Sequence, residues 1–301
     1  MIQWYPGHMH KAKKEYLKIL PQIDLVIEVL DARIPFSSQN PLLGQLRKDK
    51  PCIKLLNKSD LADNTMVSIW QDQLERDSSV KTLVCHRGDV LTRKLPELCR
   101  SMIPARTNRS TMIYALIAGI PNVGKSTLIN KLAGRHVTKT GNEAALTRLQ
   151  QRVEITDDFM LIDTPGMLWP KIENENSGYR LAATGAIRDT AIDLQEVASF
   201  IADFLLASYP EMAQHRYGLD ILPDSGIEFL DAIAIKRGCI GAGGRVDYEK
   251  VSRLLVSELR KGDFGGICLE TPEMLDQELA ELEVIKAEKA AKKAARSGTK
   301  I

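Results

Sequence analysis

A mostly parallel α/β sheet built around a phosphate-binding loop, followed by an all-helical domain, is the fold class this sequence predicts. Three observations predict it. Short apolar runs alternate with helical patterns as far as about residue 170. One run leads directly into Gly119-Ile120-Pro121-Asn122-Val123-Gly124-Lys125-Ser126, which matches G-x-x-x-x-G-K-[ST] without deviation. Beyond Pro170 the apolar spacing is helical throughout and strand-like runs disappear.

In chain order, the first twenty residues are basic and aromatic. Trp4, Tyr5, His8 and His10 precede Lys11, Lys13, Lys14 and Lys18, and residues 11–20 have helical spacing closed by Pro21. Residues 25–30 form an apolar run stopping at Asp31, which reads as a buried strand with a functional end. A loop with Pro35, Ser37 and Ser38 leads to a helix over 41–48. A second strand over 52–56 ends at Asn57-Lys58-Ser59-Asp60. A helix over 65–76, a weaker strand over 81–85, a helix over 94–102 and a polar connection over 103–110 follow. The third clear strand, 112–118, enters the glycine-bounded turn, and Thr127 opens a helix. Residues 135–148 lack apolar periodicity and read as a loop. Residues 151–155 and 159–162 are short strands that can pair as a hairpin across Thr156-Asp157-Asp158. Residues 181–206, 227–235 and 248–261 read as helical, and a charged helix starts at Leu275. The polar stretch 172–178 marks a boundary. The expected units are residues 1–174, a helical domain over 175–273 and a charged tail over 274–301.

The composition fits this picture. The chain has 301 residues, room for two domains, with 44% hydrophobic and 27% charged residues, which excludes global disorder. Net charge is +2, so a polyanionic partner would have to be met by local clusters. No apolar run is long enough to span a membrane. Five cysteines, Cys52, Cys85, Cys99, Cys239 and Cys268, are scattered without a C-x-x-C pair. A disulfide framework or zinc site is therefore not expected, and a cytoplasmic location is.

The phosphate loop carries the clearest chemistry. Glycines let backbone N–H groups close around a phosphate, and the helix N-terminus adds a favourable dipole. The expected nucleotide contacts are Asn122, Val123, Gly124, Lys125, Ser126 and Thr127. Lys125 would neutralise the β- and γ-phosphates, and the Ser126 hydroxyl would bind Mg²⁺. Asp163-Thr164-Pro165-Gly166 ends a later strand. An aspartate there can hold Mg²⁺, directly or through water, and the Gly166 N–H can sense the γ-phosphate. Thr147, between the two motifs, is the candidate for a further Mg²⁺ oxygen; an ordinary loop hydroxyl is the alternative, and Thr138 and Thr140 are lesser candidates.

Asn57-Lys58-Ser59-Asp60 fits N-K-x-D, a reader of guanine. Asp60 can accept both the N1–H and the 2-amino donors of guanine. Adenine lacks that pair and would leave a buried carboxylate unpaired. Asn57 would act on the N7 side and support neighbouring loops, and Lys58 would lie along the base. The order is unusual. GTPases ordinarily present the phosphate loop, a threonine, D-x-x-G and then N-K-x-D, whereas here N-K-x-D comes first. Domains with adjacent termini tolerate such a rearrangement.

These motifs resemble the circularly permuted GTPases of the YlqF family. So do Trp4-Tyr5-Pro6-Gly7-His8-Met9, Asp31-Ala32-Arg33-Ile34-Pro35, Asp163 to Pro170, Arg237-Gly238-Cys239, Gly243-Gly244 and Asp247-Tyr248. The resemblance extends to about Pro272. It implies GTP hydrolysis coupled to late assembly of the bacterial large ribosomal subunit, with Mg²⁺ as cofactor. The implied partners are GTP, GDP, the large-subunit precursor and its rRNA, and a monomer is expected. Two segments depart from the pattern. Ala144-Ala145 stand where Pro-Gly is frequent in the family, and Leu83 to Gly88 occupies the place of a Ser-Ala guanine-backing segment.

Met167 follows D-x-x-G where Ras-like enzymes have glutamine, and it cannot orient a water. The resemblance offers His8, a residue type able to polarise water near neutral pH; a structural or RNA-contacting histidine is the other reading. Asn122 similarly suggests K⁺ beside the phosphates, against a role in shaping the turn. The lysines around residues 11–18 and from Lys286 onward suit RNA phosphates, and Trp4 and Tyr5 suit stacking on bases; solvated helices are the plain alternative. Two other functional classes remain in view. One is a nucleotide-gated RNA-binding module with little hydrolysis. The other is a GTPase with a membrane or signalling partner, whose tail would need an apolar face that its alanines do not supply.

Overall fold

Six short strands make the sheet of the computed structural model, which describes residues 2, 14, 16–86, 88–89, 91–103, 112–138 and 151–298. They are β1 (Leu25–Asp31), β2 (Cys52–Asn57), β3 (Val80–Val84), β4 (Ile113–Gly119), β5 (Gln151–Thr156) and β6 (Phe159–Asp163). The order is β3-β2-β1-β4-β6-β5. All neighbours are parallel except β5 and β6, which form the hairpin expected around Asp157 and Asp158. Every residue of β1 is buried, as a central parallel strand requires.

The connecting helices are α1 (Pro41–Arg47), α2 (Asn64–Leu74), α3 (Lys94–Met102) and α4 (Lys125–Ala133). Their starts follow capping chemistry. Asn40 accepts from the Leu42 N–H with Pro41 in the first turn, and Asp63 accepts from Thr65 and Met66. The expected N-terminal helix is described at residues 14 and 16–19, where Tyr16 is buried.

Helices alone follow β6: α5 (Glu175–Ala183), α6 (Leu194–Ser208), α7 (Pro210–Tyr217), α8 (Gly226–Arg237) and α9 (Tyr248–Lys261). α6 is central, packed on α5, α7, α8 and α9. The helically spaced stretch 181–206 spans the end of α5 and most of α6. Gly185 takes φ +82° after α5, and Asp193 caps the restart. α7 has no sequence-level expectation because it is short and polar, with only Ala213 and Tyr217 buried.

After α9 the chain turns back. The Ile267 N–H donates to the Leu61 carbonyl (3.0 Å) and the Leu269 N–H to the Arg33 carbonyl (2.8 Å), so residues 266–270 form a strap across the sheet domain. Cys268 completes a small apolar cluster with Leu30, Ala32, Leu56, Ala62, Val67 and Leu74. A larger apolar cluster is continuous from β1, β4 and β6 into α6 and α9. The strap ends at Glu270, wholly buried, which accepts from the Phe36 and Ser37 N–H groups and the Ser37 hydroxyl. The buried Arg180 guanidinium lies 3.9 Å from Glu270 and makes two hydrogen bonds to Glu278 (2.8 and 2.6 Å) at the base of α10 (Pro272–Gly298).

Glu270→Ala would leave the buried Ser37 N–H, the part-buried Phe36 N–H and one face of Arg180 unanswered. Breaking a buried pair of this kind costs about 3–5 kcal/mol. The expected result is a loss of that size in urea unfolding at neutral pH; an unchanged midpoint would show that the strap contributes no stability through this carboxylate.

Candidate functional site

β1→α1→β2 runs one way along the sheet and β4 to β6 the other, so the crevice at the C-terminal ends of β1 and β4 is the topological switch point, where α/β sheets bind ligands. The phosphate loop leaves β4 there. A Cβ on Gly119 would meet the Val29 carbonyl of β1 at 2.6 Å, so the loop must begin with glycine. Gly124 has φ +95°, and a Cβ there would lie 2.3 Å from the Asn57 amide nitrogen. α4 begins directly at Lys125, which aims its first-turn N–H groups into the crevice. Ser126 is half-buried and Thr127 exposed in that turn.

Lys125 and Asp163 face each other in contact across this loop, 5% and 0% exposed. Burial lowers the lysine pKa and raises that of the aspartate, each opposed by the other's charge. The second Asp163 oxygen, Oδ2, is buried with no hydrogen-bond partner among the described residues. An unsatisfied carboxylate oxygen beside a helix-start serine is a donor set suited to a hard divalent cation. Thr138 is buried, its hydroxyl donating to the Ser126 carbonyl (3.1 Å), so it braces the loop rather than facing a ligand.

The N-K-S-D segment emerges from β2, two strands from β4. The Asn57 Nδ2 donates to the Val123 carbonyl (2.8 Å), joining it to the phosphate loop. The Cys85 thiol donates to the Asn57 Oδ1 (3.4 Å), and the Cys85 carbonyl accepts the Ser59 N–H (3.2 Å). The loop after β3 therefore lies against this motif. Asp60 is exposed, without a hydrogen bond or ion pair among the described residues. Lys58, at φ +62°, sends its ammonium to Asp31 (2.8 Å) rather than along the motif. Asp31 also takes a two-pronged contact from Arg33, whose Nε and Nη2 donate at 2.9 and 2.8 Å. Burial raises the Asp31 carboxyl pKa, but Arg33 and then Lys58 overcome it and hold it well below the usual carboxylate range. Arg33 continues to the Leu259 carbonyl of α9 (3.3 Å).

The segment after β6 is gripped from three sides. Gly166 packs on Pro121 of the phosphate loop, where an added Cβ would approach to 3.1 Å. The buried Met167 donates its N–H to the Gly119 carbonyl (3.1 Å), while its carbonyl accepts from the Asn40 Nδ2 (2.9 Å). Asn40 is itself held by the buried Glu28 (2.8 Å). The Tyr16 hydroxyl meets the Thr164 hydroxyl (2.7 Å), which donates to the Ile117 carbonyl. Asn122, at φ +57°, donates to the Gly185 carbonyl (2.8 Å) and so links the phosphate loop to the turn after α5.

The structure thus brings Asn57, Asn122, Val123, Gly124, Lys125, Ser126, Asp163 and Gly166 into one crevice, with Lys58 and Asp60 at its β2 edge. His8 and Thr147 lie outside the described residues, as do Lys11 and Lys13. Sequence reasoning missed Asn40, Glu28, Tyr16 and the roles of Arg33 and Cys85. Asp31, a charge closing an apolar strand, was the one visible signal.

A family model described as "50S ribosome-binding GTPase" matches residues 114–214. The chain is 44% identical to the Ribosome biogenesis GTPase A of Bacillus licheniformis over 281 residues, covering 91% of this chain and 99% of that one. It is 30% identical to the Ribosome biogenesis GTPase A of Thermotoga maritima, with 90% and 95% covered. Among solved structures, GNP-bound YlqF from T. maritima superposes with a TM-score of 0.63 at 28% identity, covering 88% of this chain and 99% of that one.

The depressed Asp31 carboxyl has a signed consequence. Its contribution to stability is complete above the ordinary aspartate value of about 4 and is lost as pH falls toward the folded-state value. Urea midpoints should therefore fall on acidification below about pH 4. Asp31→Asn should be less stable at neutral pH and lose less on acidification. Parallel pH profiles for the two proteins would show that Asp31 is not responsible.

Proposed function

We propose a role from the premise that this chain belongs to the ribosome biogenesis GTPase A family, the YlqF family: it is a GTP hydrolase of ribosome assembly, acting late on the bacterial large subunit. The reaction is GTP + H₂O → GDP + phosphate. The observation that carries this reading is the Asn57–Val123 hydrogen bond, which ties the N-K-S-D and phosphate-loop motifs, distant in the chain, into one crevice. In this reading the first-turn N–H groups of α4 and the Lys125 ammonium bind the phosphates. Asp60 accepts the two donors of guanine, and Asn57 holds the base edge against the phosphate loop. The orphaned Asp163 oxygen and the Ser126 hydroxyl fit Mg²⁺, with Thr147 as a further candidate. The ion would neutralise charge on the β- and γ-phosphates. The Asn122 contact with Gly185 favours turn-shaping and domain coupling over a K⁺ site.

Water activation is assigned to His8. The chain is tied down on both sides of that residue. Ile2 is buried against Gly178, and Tyr16 sits on Thr164 of the D-T-P-G motif. The buried Met167 is spoken for by packing and backbone contacts. The helical domain over 175–273 is the part assigned to rRNA. A cytoplasmic monomer is the form proposed; no helix among the described residues is long and apolar enough to cross a membrane.

Asp60→Asn should shift nucleotide preference from GTP toward XTP, because an amide can donate to the 2-keto oxygen of xanthine. Equal binding of both nucleotides by both proteins would remove Asp60 from the base pocket.

His8→Ala should bind GTP almost normally yet lose about ten- to a thousandfold in single-turnover hydrolysis on saturating large subunits, as for a group acting mainly in the transition state. A wild-type rate there would exclude a catalytic role, and weaker subunit binding in proportion to the loss would assign His8 to docking.

A further inference from the structure

The charge of this chain is unevenly placed. Positions 287–301 hold five of the 41 basic residues and one of the 39 acidic ones. That end therefore carries a net +4, and the preceding 286 residues a net −2. Within α10, Lys289, Lys292, Lys293 and Arg296 fall by helical register inside an arc of about 100°. Ala287, Ala290, Ala291, Ala294 and Ala295 occupy the opposite face. Every residue from Glu283 to Lys292 is exposed, so the helix leaves the body of the protein along this stretch.

Three plainer explanations fall short. Compensation of the helix dipole acts only within the last turn, and the stripe begins two turns earlier. Intrahelical pairing is scarce, since Glu288 is the only anion beyond Glu283. Insertion into a bilayer needs a bulky apolar face, and five alanines bury little.

The base of the helix is held rigidly. Glu278 receives Arg180 twice, Asn174 (2.7 Å) and Asn176 (2.9 Å). Lys286 pairs with Glu173 (2.8 Å), between the D-T-P-G motif and α5. Lys286 thus ties the helix to the segment that follows the nucleotide site, and the cationic positions follow it along α10.

We propose that the end of α10 is a backbone clamp for double-stranded RNA. The cationic stripe lies along the phosphates, reads charge rather than sequence, and binds whatever nucleotide is present. The identity of the polyanion rests on the ribosome-assembly reading; the clamp itself rests on the stripe.

The test uses the full chain and a variant with Lys289→Gln, Lys292→Gln, Lys293→Gln and Arg296→Gln, which touches none of the nucleotide motifs. Basal GTP hydrolysis should be unchanged, which checks folding. The probe is a fluorescein-labelled RNA duplex of non-ribosomal sequence, titrated across a range of KCl concentrations. The wild type should bind with a steep salt dependence. The variant should lose about tenfold or more at moderate salt, with a log–log slope shallower by about 2–4, since each phosphate contact contributes close to one unit. A Lys→Arg version should bind like the wild type. Equal affinities and slopes would overturn the clamp, as would stripe-dependent binding to phosphatidylserine vesicles without binding to the duplex. Cosedimentation with large-subunit precursors separates this proposal from the one beneath it. Duplex binding without cosedimentation keeps the clamp and overturns the ribosome reading. Cosedimentation by both proteins without duplex binding does the reverse.

Discussion

One carboxylate, Asp31, joins the two halves of this molecule. Wholly enclosed at the end of β1, it would be costly alone. Arg33 and Lys58 together make it an anion at any ordinary pH. Because Lys58 belongs to the N-K-S-D segment and Arg33 reaches the α9 backbone, a single buried charge positions the N-K-S-D loop and anchors the C-terminal helices. Neither cation can be spared, since loss of a partner leaves the others buried and unbalanced.

The same economy appears around the phosphate loop. Lys125 and Asp163 neutralise one another, yet one aspartate oxygen has no hydrogen-bond partner among the described residues. Such a group is expensive in a purely structural core. Around it the loops have little freedom. Gly166 is pressed on Pro121, Met167 is bonded through both backbone groups, and Asn122 reaches into the helical domain. A displacement of the D-T-P-G segment would strain the Asn40 and Tyr16 contacts at once. Asn40 lies on the same loop that Glu270 secures from the strap, so nucleotide site and helical domain share one mechanical path.

Chain order and spatial order are decoupled here. N-K-S-D precedes the phosphate loop in sequence, but parallel strands put the ends of β1, β2, β4 and β6 on one edge of the sheet. What the nucleotide motifs require is that edge, not a particular route between strands. The route sends the chain from the D-T-P-G segment directly into α5, and the strap over 266–270 returns it to the back of the N-K-S-D loop.

Much was legible in the sequence because the relevant physics is local. Apolar runs closed by Asp, Asn or Gly named the strands. Glycine spacing named the phosphate loop, and helical apolar spacing named the longer helices; α9 lies where its pattern puts it. Local pattern could not divide residues 181–206 into two helices or find the polar α7, because a glycine turn and a proline start outweigh apolar spacing there. Nor could it pair Asp31 with Lys58, Asn40 with Met167, Tyr16 with Thr164 or Glu270 with Ser37. Those partners are 27 to 233 positions apart. A buried polar group takes whichever complement the packed chain brings within hydrogen-bond distance, and only the tertiary structure decides which that is.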